Sequence, residues 1–177
     1  ITELSLEDLE KITDVLEKPL LYKFMGNQQN LDQILAFKPE YIDFDIETDP
    51  EIIQSSKTKS PQTKIIISFH DFEKTAQKAE LEKIVSRMQK LGADIVKIAA
   101  TANSFRDSLL MLNFLSELNQ KDITAICLCM GKDGQITRSA GHLLGNYLMY
   151  AALNQNDKTA SGQLLASELK EFRELTS

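Results

Sequence analysis

The chain has 177 residues, of which 42% are hydrophobic and 26% charged, enough for one domain with a real core. Its 20 basic and 26 acidic residues leave a net charge of −6, which argues against a nucleic-acid or anionic-membrane surface but leaves room for a local cationic pocket that takes a small anion. No apolar run approaches the ~18 residues of a membrane span and no charged-then-apolar leader opens the chain, so the cytoplasm is the expected location.

In chain order the elements alternate. Ser5-Leu6-Glu7-Asp8 reads as a helix start with Ser5 as N-cap, followed by Leu6, Leu9, Ile12, Val15 and Leu16 on one face. A short strand at 20–24 follows Pro19, with Lys23 expected to face solvent at its end. Gly26-Asn27 breaks it, and a short helix around 30–37 leads into Tyr41-Ile42-Asp43-Phe44-Asp45-Ile46-Glu47. That segment alternates acids with large apolar residues at the strand period of two. Next comes Lys64-Ile65-Ile66-Ile67-Ser68-Phe69-His70-Asp71, an apolar strand ending in one of only two histidines.

A helix over 76–91 carries an apolar stripe of Leu81, Ile84, Val85, Met88 and Leu91 and ends at Gly92. The strand Asp94-Ile95-Val96-Lys97-Ile98-Ala99-Ala100 follows. Ser104 to Asp107 cap a helix whose expected apolar stripe is Phe105, Leu109, Leu112, Leu115 and Leu118. After it come the strand Ala125-Ile126-Cys127-Leu128-Cys129-Met130, a polar turn at 131–134, a helix near 138–144, an apolar segment at 147–153 counted as a sixth strand, and a last helix over 164–175. Cys127 and Cys129 share a strand face. Without further cysteines or clustered histidines they are a poor zinc signal, and they read as small core residues.

Strand–helix alternation with short connections predicts parallel strands joined by right-handed crossovers. No glycine-rich phosphate or dinucleotide motif follows any strand, so those binding classes have no support. Asp45, His70, Lys97 and Met130 fall at or near the C-terminal halves of successive strands, where a (β/α) barrel gathers its reacting groups. Lys97 is the most informative of them. An ammonium inside a doubly buried strand costs several kcal/mol unless it is paired or loses its proton, which points to an amine nucleophile. Strand parity lets His70 and Lys97 point the same way, and an imidazole beside an amine suits proton transfer near neutrality. His142, the other histidine, is expected at the surface or in packing.

Six segments carry a resemblance to a known family: Tyr41 to Asp45, Ile65 to Phe72, Leu91 to Ala99, Met130 to Gly134, Thr137 to Gly141 and Thr159 to Gln163. In this order and spacing the chain resembles the type I 3-dehydroquinate dehydratases over roughly residues 5–175. The resemblance implies an α/β (β/α)8 TIM barrel of the shikimate pathway that removes water from 3-dehydroquinate to give 3-dehydroshikimate, with no metal or organic cofactor. It implies that Lys97 forms a Schiff base with the C3 ketone. It further implies that His70 takes the C2 proton and protonates the leaving C1 hydroxyl, with Asp45 holding the imidazole. Arg138 then grips the substrate carboxylate; Thr159 and Gln163 belong to a loop that closes over the substrate, and Met130 forms an apolar wall. Placed near a helix start, Arg138 is disfavoured by the dipole, so a bound anion is the expected reason for it.

Four positions depart from the family pattern: Asp45 stands for a glutamate, Met25 for an arginine, Thr159 for a serine, and Ser161 for a loop proline. The resemblance also implies that residues 1–177 are a single barrel domain lacking its N-terminal βαβ portion, with two strands and a Glu-x-Arg segment, about 40 residues, upstream. A homodimer and a fusion to a shikimate dehydrogenase are both compatible with the sequence. Two alternatives stay open: another lysine-imine lyase or aldolase on the same barrel, and a degenerate, non-catalytic homologue.

Overall fold

The computed structural model describes residues 18–176. The helix expected to start at Ser5 lies outside the described residues. The chain divides after Ile66 into two compact units.

In the N-terminal unit, strand β1 (Leu21–Lys23) is followed by helix α1 (Gln28–Ala36), strand β2 (Tyr41–Asp45), helix α2 (Pro50–Lys59) and the first residues of strand β3 (Lys64–Asp71). β1 and β2 pair in parallel with Leu21, Tyr22 and Lys23 opposite Tyr41, Ile42 and Asp43. Asn27 caps α1, its side chain accepting the Asn30 N–H at 3.1 Å, and Leu31, Ile34 and Leu35 form the buried face. Phe24 and Phe44 meet with ring centroids 5.4 Å apart in the core beneath.

Helix α2 was not expected from periodicity. Asp49 accepts the Glu51 N–H at 2.9 Å and Pro50 occupies the first turn, a start signal legible in Asp49-Pro50-Glu51. Its short apolar face, with Ile53 buried, was too narrow to announce a helix. Lys23 also differs from expectation. Its ammonium lies 2.9 Å from the carboxylate of Asp43, which is only 1% exposed, so the in-register partner on β2 draws the lysine inward.

The C-terminal unit holds the rest of β3, then α3 (Lys78–Lys90), β4 (Ile95–Thr101), α4 (Phe105–Gln120), β5 (Ala125–Met130), α5 (Gln135–Ala140), two short 3-10 turns and α6 (Ala166–Thr176). β4 and β5 pair in parallel over six residues, from Val96 opposite Ala125 to Thr101 opposite Met130. Both strands are buried almost throughout, as expected of parallel strands covered on two faces. α4 packs against β5. Its capping box is complete: the Asp107 carboxylate accepts the Ser104 N–H at 3.0 Å and the Asn103 N–H at 2.8 Å.

Two expectations are corrected here. The buried stripe of α4 is Ser108, Met111, Phe114, Leu115 and Leu118, whereas Phe105 and Leu109 are more than half exposed. The helix is turned because the Ser108 hydroxyl donates to the Asp133 carbonyl at 2.6 Å, a polar tie that apolar periodicity does not register. The segment 147–153 is no strand; Ala152 alone forms an isolated parallel bridge, with Leu165. In place of a further strand, side chains serve β5: the Cys127 N–H donates to Asn146 Oδ1 at 2.8 Å and the Cys129 N–H to Thr137 Oγ1 at 2.7 Å. Among the described residues no helix is long and apolar enough to cross a membrane.

Candidate active site

A cavity of about 250 Å³ opens in the C-terminal unit, and six of the seven expected site residues line it: His70, Lys97, Met130, Arg138, Thr159 and Gln163. The register explains the first part of this assembly. Ala99 lies opposite Leu128 and both face the cavity; Lys97 and Met130, each two residues away along its own strand, keep the same parity. A slip of one residue by either strand would turn its own pair away. Asp45 belongs to the N-terminal unit, at the end of β2, where its carboxylate accepts the Glu47 N–H at 3.0 Å.

Lys97 is 8% exposed. Its Nζ sits 4.5 Å from the centroid of the Tyr150 ring, inside the range of a cation–π contact. The His70 ring stacks on Phe72 at 6.1 Å with an interplanar angle of 12°, and Phe72 is itself exposed on its other side. Tyr150 and Phe72 line the cavity too, and the sequence reading assigned a site role to neither. Phe72 directly follows the His70-Asp71 motif and could have been included on that ground. Tyr150 sat within the run counted as a strand, and only the spatial placement of that run reveals it.

Arg138 is 4% exposed and its Nε donates to the Cys129 carbonyl at 3.1 Å. Burial pulls its pKa below the ordinary guanidinium value, with the neighbouring Cys129 acting the other way. The dipole argument for Arg138 is corrected: α5 begins at Gln135, so Arg138 stands in the last turn of this short helix, where a cation is favoured. A buried guanidinium on a cavity wall nonetheless suits a planar anion, since the fork can bind a carboxylate with two parallel bonds.

The loop at 159–163 closes one side. Gln163 Oε1 accepts the Thr159 N–H at 2.8 Å and the Thr159 hydroxyl at 3.3 Å, which folds the loop on itself. The Gly131 N–H donates to the Ser161 carbonyl at 3.1 Å, tying the loop to the end of β5. Gly162 has a φ of +77°, and a Cβ there would overlap the Gly131 carbonyl oxygen, so only glycine permits this approach.

Cys127, Cys129 and His142 lie outside the lining of this cavity. Cys127 and Cys129 are buried and free. Burial pushes the Cys127 thiol up to about 12, and raises Cys129 to about 11. His142 is fixed between the Ser139 carbonyl at 2.8 Å and the Thr176 hydroxyl at 3.2 Å, with its ring edge-on to Phe172.

The family model for type I 3-dehydroquinase matches residues 9–177. The chain is 37% identical over 132 residues to the 3-dehydroquinate dehydratase of Desulfotalea psychrophila, an alignment that covers 73% of this chain and 58% of that protein. It is 31% identical to the bifunctional 3-dehydroquinate dehydratase/shikimate dehydrogenase of Arabidopsis thaliana, over 93% of this chain and 29% of the relative. The chain therefore spans less than two thirds of the length of these two proteins. Among solved structures, the type I 3-dehydroquinate dehydratase of Clostridium difficile superposes with a TM-score of 0.81 at 26% identity, covering 97% of this chain and 76% of that one. The parallel α/β fold is that of the type I dehydroquinases, and the chain belongs to the type I 3-dehydroquinase family.

Proposed function

We propose that this chain carries the imine-forming site of a 3-dehydroquinate dehydratase, a hydro-lyase that converts 3-dehydroquinate to 3-dehydroshikimate. The observation that carries the proposal is a buried lysine amine, an imidazole and a buried guanidinium on the walls of one small cavity. Lys97 adds as the neutral amine to the C3 ketone. With one proton taken up, the carbonyl oxygen leaves as water and a protonated imine remains. That cation draws electrons from C2, and His70 removes the C2 proton to give a neutral enamine. The same imidazolium then protonates the C1 hydroxyl, which departs as water as the conjugated iminium forms; a second water releases product and frees the amine.

Arg138 binds the substrate carboxylate in this reading, Met130 supplies apolar contact, and Gln163 with Thr159 exclude solvent. The cycle in this reading requires no metal or organic cofactor. Cytoplasmic location belongs to the same reading, and fusion to a shikimate dehydrogenase occurs in the chloroplastic Arabidopsis relative. The C. difficile relative, solved with covalently modified comenic acid, supports covalent chemistry in the family.

One observation favours a second reading. Met25, where the family pattern has an arginine, is 71% exposed and offers no charge, as a homologue that binds without turnover would allow. Borohydride reduction in the presence of 3-dehydroquinate, read by mass on Lys97, and absorbance of the conjugated product together separate the two. Lys97→Ala is expected to lose adduct and turnover, and His70→Ala to keep the adduct and lose turnover. Turnover retained in Lys97→Ala overturns the mechanism; an adduct without turnover in the unaltered full-length protein favours the binding homologue.

A further inference from the structure

Tyr150 has no assigned part in the chemistry, yet its ring is the aromatic face beneath the reacting nitrogen. Backbone bonds on both sides hold it there. The Tyr147 N–H donates to the Ala125 carbonyl at 2.9 Å at the start of β5, and Ala152 exchanges bonds with Leu164 and Ala166, both at 2.9 Å. Between these anchors the ring meets Lys97 Nζ at 4.5 Å, and the phenolic oxygen is sealed from solvent. Lys97 is only 8% exposed, so both partners are largely withdrawn from solvent, which strengthens the attraction of an aromatic face for a cation.

From this geometry we infer that Tyr150 is a positioning residue that supports the positive charge of Lys97 through the imine cycle. The inference rests on the reading of Lys97 as the imine-forming lysine. In that cycle the nitrogen is neutral when it attacks, a cation in the protonated imine and neutral in the enamine. The negative face of a ring attracts the cationic states and is indifferent to the neutral ones. Tyr150 therefore raises the population of protonated imine relative to the neutral species on either side of it. It also holds Nζ in line with the cavity while the bonds to carbon change.

The test keeps the ring's shape and alters its electrons. In the full-length protein, position 150 is made leucine, phenylalanine, or phenylalanine carrying one, two or three fluorines, which withdraw density from the face. Each protein is incubated with 3-dehydroquinate and borohydride, and the adduct on Lys97 is quantified by mass alongside kcat and KM. Tyr150→Leu is expected to lower the trapped fraction and kcat about tenfold, with KM moving far less. Tyr150→Phe is expected to recover both to within about twofold, because the ring returns. Along the fluorinated series the values should fall stepwise towards those of leucine. A flat series, or full trapping in Tyr150→Leu, overturns the inference while leaving Lys97 in its role. No adduct in the unaltered protein overturns the imine reading itself, and the inference with it.

Discussion

Replacing Gly134 with alanine is expected to damage both stability and substrate binding, through space alone. The backbone at Gly134 is unstrained, with φ −80° and ψ −15°, so conformation gives no reason for glycine. A Cβ built there would lie 2.6 Å from the carbonyl carbon and oxygen of Cys129 and 2.6 Å from the Met130 oxygen. All three atoms are backbone at the end of β5, and none can rotate away. Relief requires α5 to move off the strand. That movement stretches the Cys129 N–H to Thr137 bond at 2.7 Å and the Arg138 Nε to Cys129 carbonyl bond at 3.1 Å.

Overpacking of this kind costs about 1–3 kcal/mol, and a clash with backbone belongs at the upper end. For a chain of this size the loss corresponds to a fall in Tm of roughly 6–12 °C. Displacing Arg138 should also weaken its charge-assisted contact with the substrate carboxylate, raising KM by about tenfold to a hundredfold. Gly92→Ala is the control. Its φ is +88° with nothing within 4 Å of an added Cβ, so it should lose roughly 1–2 kcal/mol to backbone strain and leave KM unchanged. Calorimetry and steady-state kinetics on both variants decide the matter. A Gly134→Ala protein that melts within about 1 °C of the parent would refute the close approach, and an unchanged KM would refute the link to Arg138.

Three further outcomes are expected. Thr137→Val keeps the shape but removes the hydroxyl that serves the buried Cys129 N–H, and should cost roughly 1–3 kcal/mol in urea denaturation, with Thr137→Ser retaining most of it. Stability should fall at alkaline pH. Both thiols are raised from 9.0, to about 12 and about 11, so the unfolded chain releases their protons first; the contribution is intact below pH 9 and lost as pH rises towards 11–12, measurable as the urea midpoint against pH. For the same reason a thiol reagent at pH 8 should label neither cysteine in the native protein and both in denaturant.

How far the sequence could be read depended on whether an element's cause was local. The α4 start was legible because Ser104 and Asp107 close their own hydrogen bonds within four residues. Lys97 was legible because a cation inside β4 violates the composition of a buried strand whatever surrounds it. The 147–153 segment has strand-like composition, but becoming a strand requires a neighbour to accept it. Asn146 and Thr137 occupy the β5 amides with side chains instead, a fact distributed over residues far apart in the chain. The turned face of α4 has the same origin, since the tie from Ser108 reaches Asp133 across 25 positions. Arg138 lines the cavity with His70 and Lys97 but from an unexpected helix position, because the short α5 offers neither an N-cap side chain nor an apolar stripe to mark its start.

These non-local ties converge on the end of one strand. Met130 lines the cavity there; one residue on, Gly131 gives its N–H to the loop that carries Thr159 and Gln163. Three residues further, Gly134 lets α5 lie against the strand closely enough for Arg138 to reach the Cys129 carbonyl. The groups proposed to bind the carboxylate and to close over the substrate are therefore fixed to the same few backbone atoms. The amine proposed to react stands on the adjacent strand at the same parity. A shift at this strand end would move the anion site and the loop together, so variants at Gly131, Gly134 and Gly162 should fail to combine additively, as neighbours that share one structural element do.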